Sequence, residues 1–154
     1  MNKPLDKANL VVRAMSEADL PLVLQVEKSI YAYPWTPGNF ADCLASEYRC
    51  YVLTCDGALI AYAVQMAVLD EMHLLNLTVS DNFQQKGVGR YLLESLVSDA
   101  LALQAVKIIL EVRRSNFPAI FLYESLEFKQ VGLRKNYYPD QRGREDAIVM
   151  EMLF

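Results

Sequence analysis

The fold is decided by the stretch Gln84-Gln85-Lys86-Gly87-Val88-Gly89-Arg90. It follows an apolar run, His73 to Val79, and precedes a pattern with apolar residues at 92, 93, 96 and 97. Such a loop between a strand and a helix brings backbone N–H groups and the positive end of the helix dipole together. Two glycines let the main chain approach an anion, so the stretch predicts a phosphate-binding turn, although a plain strand-to-helix turn has the same pattern. Neither the P-loop nor the three-glycine dinucleotide fingerprint fits.

Strand and helix patterns extend outward from this loop in both directions. Apolar spacing, helix caps and the Asp56-Gly57 turn predict these elements in chain order: a strand at Leu10 to Arg13, helices after Ser16 and Thr36, strands at Tyr48 to Thr54, Ala58 to Leu69 and His73 to Val79, a helix ending near Leu103, a strand at Lys107 to Val112, a helix after Asn116, and strands near Phe128 to Leu133 and Ala147 to Met152. The expected class is α/β (α+β), in one domain over residues 1–154. We expect a mixed, mostly antiparallel sheet of about seven strands with helices on both faces.

Composition excludes several classes of protein. The 154 residues are 53% hydrophobic and 22% charged, which is typical of a globular chain. No stretch approaches the roughly 18 apolar residues of a membrane span, and Met1 to Leu10 has no secretory signal, so a cytoplasmic protein is expected. The net charge of −4 argues against nucleic acid as the main partner. Three cysteines and a single histidine without metal-binding spacing predict reduced thiols and no metal.

The loop at 84–90 resembles the Q/R-x-x-G-x-G/A signature of the GCN5-related N-acetyltransferase (GNAT) family, and the order of elements is similar to that family's fold. Further segments resemble the branch of the family that acetylates the N-terminal alanine of a ribosomal protein: 33–36, 70–71, 110–113, 115–116, 122–126, 134–139 and 143–148. One position departs from the pattern, because Glu127 stands where the family has a glycine. If the backbone there has positive φ, the glutamate costs on the order of 1 kcal/mol.

The resemblance implies acetyl-CoA as co-substrate. Acetyl-CoA would lie where the strand ending at Val79 splays from the strand ending at Val112. The implied binding residues are Leu77, Thr78, Val79, Gln85, Lys86, Gly87, Val88, Gly89, Arg90 and Asn116.

Two side chains are candidates for acid and base catalysis. Glu111 interrupts the apolar strand Ile108 to Val112, where alternation predicts a different face from its neighbours, as expected of a general base or of an exposed strand-end glutamate. Tyr123 lies two helical turns after Asn116, and the resemblance implies that it protonates the CoA thiolate; a tyrosine packed in the core is the other interpretation.

Six residues are candidates for acceptor binding: Tyr33, Trp35, Asp70, Glu71, Tyr137 and Tyr138. They would receive the N-terminal peptide of a basic ribosomal protein, in keeping with the negative net charge, and the aromatic residues are equally expected in ordinary packing. An acetyltransferase for small amines or lysine side chains and a non-catalytic CoA-binding module stay open as alternatives. Neither DNA nor a membrane is expected as a partner, and the oligomeric state is left open.

Overall fold

The computed structural model describes residues 5–154. Of the stretch Met1 to Leu10, in which no secretory signal is expected, residues 1–4 lie outside the described range. Within that range the chain forms four α-helices and seven strands in the predicted order: β1 Leu10–Ala14, α1 Leu20–Ile30, α2 Pro37–Ala45, β2 Arg49–Cys55, β3 Ala58–Val68, β4 Glu71–Val79, α3 Val88–Ala102, β5 Lys107–Arg113, α4 Phe117–Ser125, β6 Lys129–Asp140 and β7 Gly143–Leu153. No helix of these residues is long and apolar enough to cross a membrane.

The strands form one sheet in the order β1-β2-β3-β4-β5-β7-β6. The pairs β1–β2, β2–β3, β5–β7 and β6–β7 are antiparallel, and β4–β5 is parallel. The sheet is therefore mixed and mostly antiparallel, which confirms the predicted fold class.

Two compact units share the chain. The first contains the residues up to Met66 together with Asn76–Leu96, and the second contains Ala67–Leu75 together with Val97–Phe154. Strand β4 belongs partly to each unit. The single domain over residues 1–154 stays a prediction.

The turn and capping residues that the sequence indicated lie at a hairpin turn and at the starts of helices. Asp56 and Gly57 both have positive φ, 51° and 83°, as a two-residue hairpin turn between β2 and β3 requires. The Thr36 side chain accepts a hydrogen bond from the Asn39 N–H at 3.1 Å and caps α2. Before α1, the Asp19 carboxylate accepts from the Ser16 N–H at 2.8 Å, in the predicted capping arrangement.

The core of the first unit packs α1 and α2 against β2 and β3. Its buried residues are Met15, Val23, Phe40, Cys43, Cys50, Val52, Tyr62 and Val64. The Trp35 ring lies on Phe40 with ring centroids 5.1 Å apart, and Phe40 meets Tyr62 edge-on at 5.8 Å. These ring contacts anchor the segment between α1 and α2 on the buried core of the first unit.

The last hairpin differs from the expectation. Strand β6 continues to Asp140 and β7 begins at Gly143, so both strands are longer than the predicted 128–133 and 147–152. The alternation that would reveal a longer strand is broken, because the pairs Arg134↔Ala147 and Tyr138↔Glu145 leave three β6 residues opposite a single β7 residue.

Candidate active site

The end of β4 carries the first group of candidate residues. Its parallel pairing with β5 covers only Glu71–Leu74, although β4 continues to Val79. Leu77, Thr78 and Val79 lie in that continuation, where the backbone groups are those proposed to meet the acetyl and pantetheine parts of acetyl-CoA. Thr78 is buried, and its hydroxyl donates to the Asn76 side chain at 2.7 Å.

The glycine loop joins this strand to α3. The Gln84 side chain donates to the Val79 carbonyl at 3.0 Å, which ties the loop to the strand end. Gln85 and Gly87 have φ of 59° and 81°, and α3 begins at Val88. The N–H groups of a first helical turn have no acceptor within their own helix, so this turn offers donors and a positive dipole end to an anion.

Two cations flank the same turn. The Lys86 ammonium lies 5.6 Å from the centroid of the Phe83 ring, and Arg90 pairs with Glu94 at 3.1 Å. A phosphate at this helix start would therefore meet backbone donors first and Lys86 second, since Glu94 already balances Arg90.

Glu111 occupies the position that alternation predicted. It lies between buried Leu110 and Val112 on β5, and its side chain is 26% exposed. Its carboxylate pairs with Arg134 Nε at 3.0 Å. It also accepts from the Tyr137 hydroxyl, and this hydrogen bond raises the pKa of Tyr137 above its usual value. Glu111 is thus held between a guanidinium and a phenol, partners that the sequence did not indicate.

The aromatic pair beside Glu111 is ordered by cations. Tyr137 and Tyr138 meet edge-on with ring centroids 4.9 Å apart. Arg113 lies 4.6 Å from the centre of the Tyr138 ring, and Arg134 lies 5.4 Å from that of Tyr137. Burial, with the nearby Glu111 charge, raises the pKa of Tyr138 to about 12, so both phenols remain protonated donors at neutral pH.

A bulge in β6 presents these residues to Glu111. Asn136 has φ of 54°, and its N–H donates to Asp146 on β7 at 2.9 Å. The other Asp146 oxygen pairs with Arg114 at 3.4 Å. On the same hairpin, Arg144 donates to the Tyr137 carbonyl at 3.1 Å.

Helix α4 places the two other candidates of the second unit. The Asn116 side chain accepts from the Ala119 N–H at 3.3 Å and caps the helix. Tyr123 is buried two turns later, with its ring 5.7 Å from that of Phe128. The backbone around Glu127 closes the helix, because the N–H groups of Phe128 and Glu127 donate to Tyr123 and Glu124 respectively. This is a Schellman motif, and Glu127 has φ of 70°, which confirms the positive φ considered from the sequence.

The acceptor candidates Tyr33 and Trp35 lie in the segment Tyr31 to Thr36 between α1 and α2. Tyr33 is exposed, whereas Trp35 is half-buried on Phe40. The backbone N–H of Trp35 donates to the Glu27 carboxylate at 2.9 Å. Sequence reasoning missed Glu27, because a charged residue on an amphipathic helix is usually a solvated one.

Asp70 and Glu71 are not brought together with the tyrosine pair. Glu71 pairs with His73 at 3.1 Å and with Lys107, the first residue of β5, at 3.5 Å. Glu111 lies four residues after Lys107 on β5, which corresponds to about 13 Å at the usual rise per residue of a strand. The charge of Glu71 is therefore balanced locally at the other end of that strand.

Cysteines and metal ligands contribute nothing to this arrangement. All three thiols are free, and burial raises the pKa of Cys50 to about 11. Among residues 5–154 there is no cluster of three or more His, Cys, Asp or Glu side chains that would hold a metal ion.

Comparisons with known proteins agree with this geometry. The model of the acetyltransferase (GNAT) family matches residues 16–128. Curated relatives from Salmonella typhimurium and Escherichia coli K12, both named ribosomal protein bS18-alanine N-acetyltransferase, are 41% and 40% identical over 92% of this chain and 95% of theirs. A putative enzyme of the same name from Bacillus subtilis is 34% identical over 94% of this chain and 95% of its own.

Solved structures give the same result. The crystal structure of the Escherichia coli ribosomal-protein-S18-alanine N-acetyltransferase superposes with a TM-score of 0.88 at 39% identity, covering 94% of this chain and 93% of that one. Arabidopsis thaliana NAA60 in complex with acetyl-CoA has a TM-score of 0.84 at 16% identity over 94% of this chain and 99% of its own, a likeness of fold alone. The chain belongs to the acetyltransferase (GNAT) family.

Proposed function

We propose that this protein is an N-terminal acetyltransferase that moves acetyl from acetyl-CoA to the N-terminal alanine of small-subunit ribosomal protein S18, and that it works in the cytoplasm. The observation that carries the proposal is its 40% identity, over 92% of the chain, to the Escherichia coli enzyme of that name. The position of Glu111 beside Tyr137 supports it independently, since a carboxylate next to phenolic donors suits recognition and deprotonation of an amine.

The first unit supplies the proposed cofactor contacts. Backbone groups of Leu77, Thr78 and Val79 bind the acetyl and pantetheine parts, and the turn from Gln85 to Arg90, which includes Lys86, Gly87, Val88 and Gly89, holds the pyrophosphate. The supporting features are the end of the β4–β5 pairing at Leu74 and the left-handed backbone at Gln85 and Gly87, which opens the start of α3. Asn116, the cap of α4, is a further proposed contact of the cofactor.

Glu111 and Tyr123 are the proposed base and acid. Acetyl-CoA brings the thioester, and the acceptor amine attacks its carbonyl carbon directly. Glu111 takes the proton that the amine loses as the C–N bond forms, while N–H groups near Leu77 to Val79 stabilise the oxyanion. Tyr123 gives its hydroxyl proton to the CoA sulfur as the C–S bond breaks, and it regains a proton from solvent.

The acceptor that is most easily deprotonated is an α-amino group. An α-amino group has a pKa near 7.7–8.0, so about a third of it is neutral near pH 7.5, compared with about one lysine in a thousand. An α-amino acceptor therefore places a smaller demand on the proposed base, Glu111, than a lysine side chain does.

The acceptor contacts are proposed for the aromatic residues. Tyr137 and Tyr138 are protonated donors beside Glu111, and they would bind peptide carbonyls near the N-terminus. Tyr33 and Trp35 would contact the first side chains. Asp70 and Glu71 would act at longer range on a basic peptide, because Lys107 already pairs with Glu71.

Substitution of the base tests the chemistry. In Glu111→Gln we expect kcat/KM for a peptide with N-terminal alanine to fall at least about 100-fold, as for loss of a general base, with acetyl-CoA binding by calorimetry retained. The matched control is Glu151→Gln, which removes a half-buried carboxylate of β7 that pairs with Lys107 at 3.2 Å. Near wild-type kcat/KM in Glu111→Gln between pH 6 and 9 would contradict the assignment.

Tyr123→Phe is the parallel test of the acid. We expect acetyl-CoA to bind normally while turnover falls at least about tenfold, because the thiolate then leaves without a proton donor. Equal turnover in the variant and the wild type would contradict the assignment of Tyr123 as the acid.

A further inference from the structure

A buried carboxylate lies behind the segment that carries Tyr33 and Trp35. Glu27 of α1 is 2% exposed. Its Oε1 accepts from the Tyr62 hydroxyl at 2.6 Å and from the Asn76 amide at 3.2 Å, and its Oε2 accepts from the Trp35 N–H at 2.9 Å. One side chain thus joins α1 to β3, to β4 and to the inter-helix segment.

The charge of Glu27 fits a set of donors. A buried carboxylate is costly unless several groups donate to it, and here a phenol, an amide and a backbone N–H do so. Burial, and then the hydrogen bond to Glu27, raise the pKa of Tyr62, so its hydroxyl keeps the proton that it donates. All three groups donate their hydrogen bonds to the same carboxylate.

A chain of hydrogen bonds extends this arrangement along β4. Because the Thr78 hydroxyl donates to the Asn76 side-chain oxygen at 2.7 Å, it must accept from the Tyr31 hydroxyl, 2.7 Å away. Asn76 in turn donates to Glu27. Asn76 and Thr78 lie two residues apart on one face of β4, in the part that continues beyond the pairing with β5.

The segment Tyr31 to Thr36 is consequently held at three points. The Tyr31 hydroxyl bonds to Thr78, the Trp35 N–H bonds to Glu27, and Thr36 caps α2. Two of these points depend on the same network as the end of β4. Tyr33 lies between these points and has 44% of its surface exposed.

We propose that Glu27 is a positioning residue, whose carboxylate holds the Trp35 backbone against the end of β4 and so sets the acceptor-binding conformation of the segment Tyr31 to Thr36. The inference rests on the proposed function for its kinetic consequence only. The structural consequence is measurable without any substrate, because Trp35 is the only tryptophan of the chain.

The experiment compares Glu27→Leu, Glu27→Gln and wild type by tryptophan fluorescence. In Glu27→Leu we expect the acrylamide quenching constant of Trp35 to rise about twofold, because its N–H loses the acceptor and the segment opens locally. Glu27→Gln keeps one oxygen for that N–H, so its quenching should stay close to wild type. If Glu27→Leu fails to fold, the double variant Glu27→Leu with Tyr62→Phe also removes the stranded hydroxyl and is measured instead.

Kinetics with the alanine peptide complete the test. We expect Glu27→Leu to raise the peptide KM about tenfold with the acetyl-CoA Kd within about threefold of wild type, and Glu27→Gln to recover most of the loss. The matched control is Asp19→Asn, which alters a buried carboxylate bonded to Arg13 and Ser16 just before the same helix and should change neither quenching nor KM.

The outcomes separate the two proposals. Unchanged Trp35 quenching in Glu27→Leu overturns the positioning role, whether or not the wild type is active. Increased quenching with an unchanged peptide KM overturns its link to the acceptor. A wild type that binds acetyl-CoA and leaves the peptide unmodified refutes the proposed function, and the fluorescence of the variants still decides whether Glu27 holds the segment.

Discussion

Removal of the Asp146 carboxylate is expected to slow acetyl transfer, although Asp146 touches neither proposed substrate. Asp146 accepts from the Asn136 N–H at 2.9 Å and so fixes the β6 bulge in a left-handed conformation at φ of 54°. That bulge contains Tyr137 and directly follows Arg134, and both of these residues contact Glu111. In Asp146→Ala the bulge loses this anchor, and the proposed base loses its fixed surroundings.

The magnitude follows from the two contacts of Asp146. A hydrogen bond to a charged group contributes about 1.5–3 kcal/mol, and the low end applies because an exposed bulge is readily hydrated. The Arg114 pair is 3.4 Å long with Arg114 65% exposed, so it adds at most about 0.5 kcal/mol. The total of about 1.5–2 kcal/mol corresponds to a roughly 10- to 30-fold loss in kcat/KM if all of it is felt in the transition state.

The assay is steady-state transfer to an N-terminal alanine peptide, with thermal unfolding measured beside it. Arg114→Ala is the matched control, because it breaks the same ion pair and leaves the Asn136 hydrogen bond intact; its kcat/KM should stay within about twofold of wild type. Asp146→Asn retains an acceptor oxygen and should lie between the two. Equal losses in Asp146→Ala and Arg114→Ala, or no loss in either, would refute the reasoning.

Three further predictions concern stability and the cofactor turn. Arg13 holds the pKa of Asp19 near 2, below its usual value near 4. The resulting stabilisation of the fold, about 1–2 kcal/mol, is present above pH 4 and is lost as the pH falls through 2. Between pH 5 and 2 the urea midpoint should therefore fall less in Asp19→Asn than in wild type. Glu127→Gly relieves a φ of 70° at some entropic cost, and Tm should rise by about 1–2 °C, whereas a decrease would show that the glutamate is unstrained. In Gly87→Ala the added Cβ meets no atom within 4 Å, but the alanine is strained at a φ of 81°. Calorimetry should therefore show acetyl-CoA binding weakened about 5- to 10-fold. Gly132→Ala is the control and should bind acetyl-CoA as the wild type does.

Local sequence signals predicted the elements well because their causes are local. Asp56-Gly57 has the backbone preferences of a hairpin turn, Thr36-Pro37 starts a helix, and alternation along β5 sets the orientation of Glu111. The family pattern exposed the departure at Glu127, whose positive φ follows from the Schellman motif that ends α4.

Long-range partners could not be predicted from one sequence. Glu27 looks like a solvated helix residue until Tyr62, 35 residues later, and Asn76, 49 residues later, are seen to donate to it. The extent of β6 was hidden because its bulge breaks the alternation that identifies strands. The partner of Glu111 was hidden for the same reason, since Arg134 immediately precedes that bulge.

The central claim is tested most directly by mass spectrometry of the lysine-free peptide Ala-Arg-Tyr-Phe-Arg-Arg after incubation with the protein and acetyl-CoA. A copy with a blocked N-terminus and a lysine-bearing copy of that blocked peptide serve as controls. Acetylation of the free N-terminus, with both controls unmodified, is the result predicted for an N-terminal acetyltransferase. An unmodified peptide in the presence of bound acetyl-CoA, or acetylation of the lysine control alone, would contradict it.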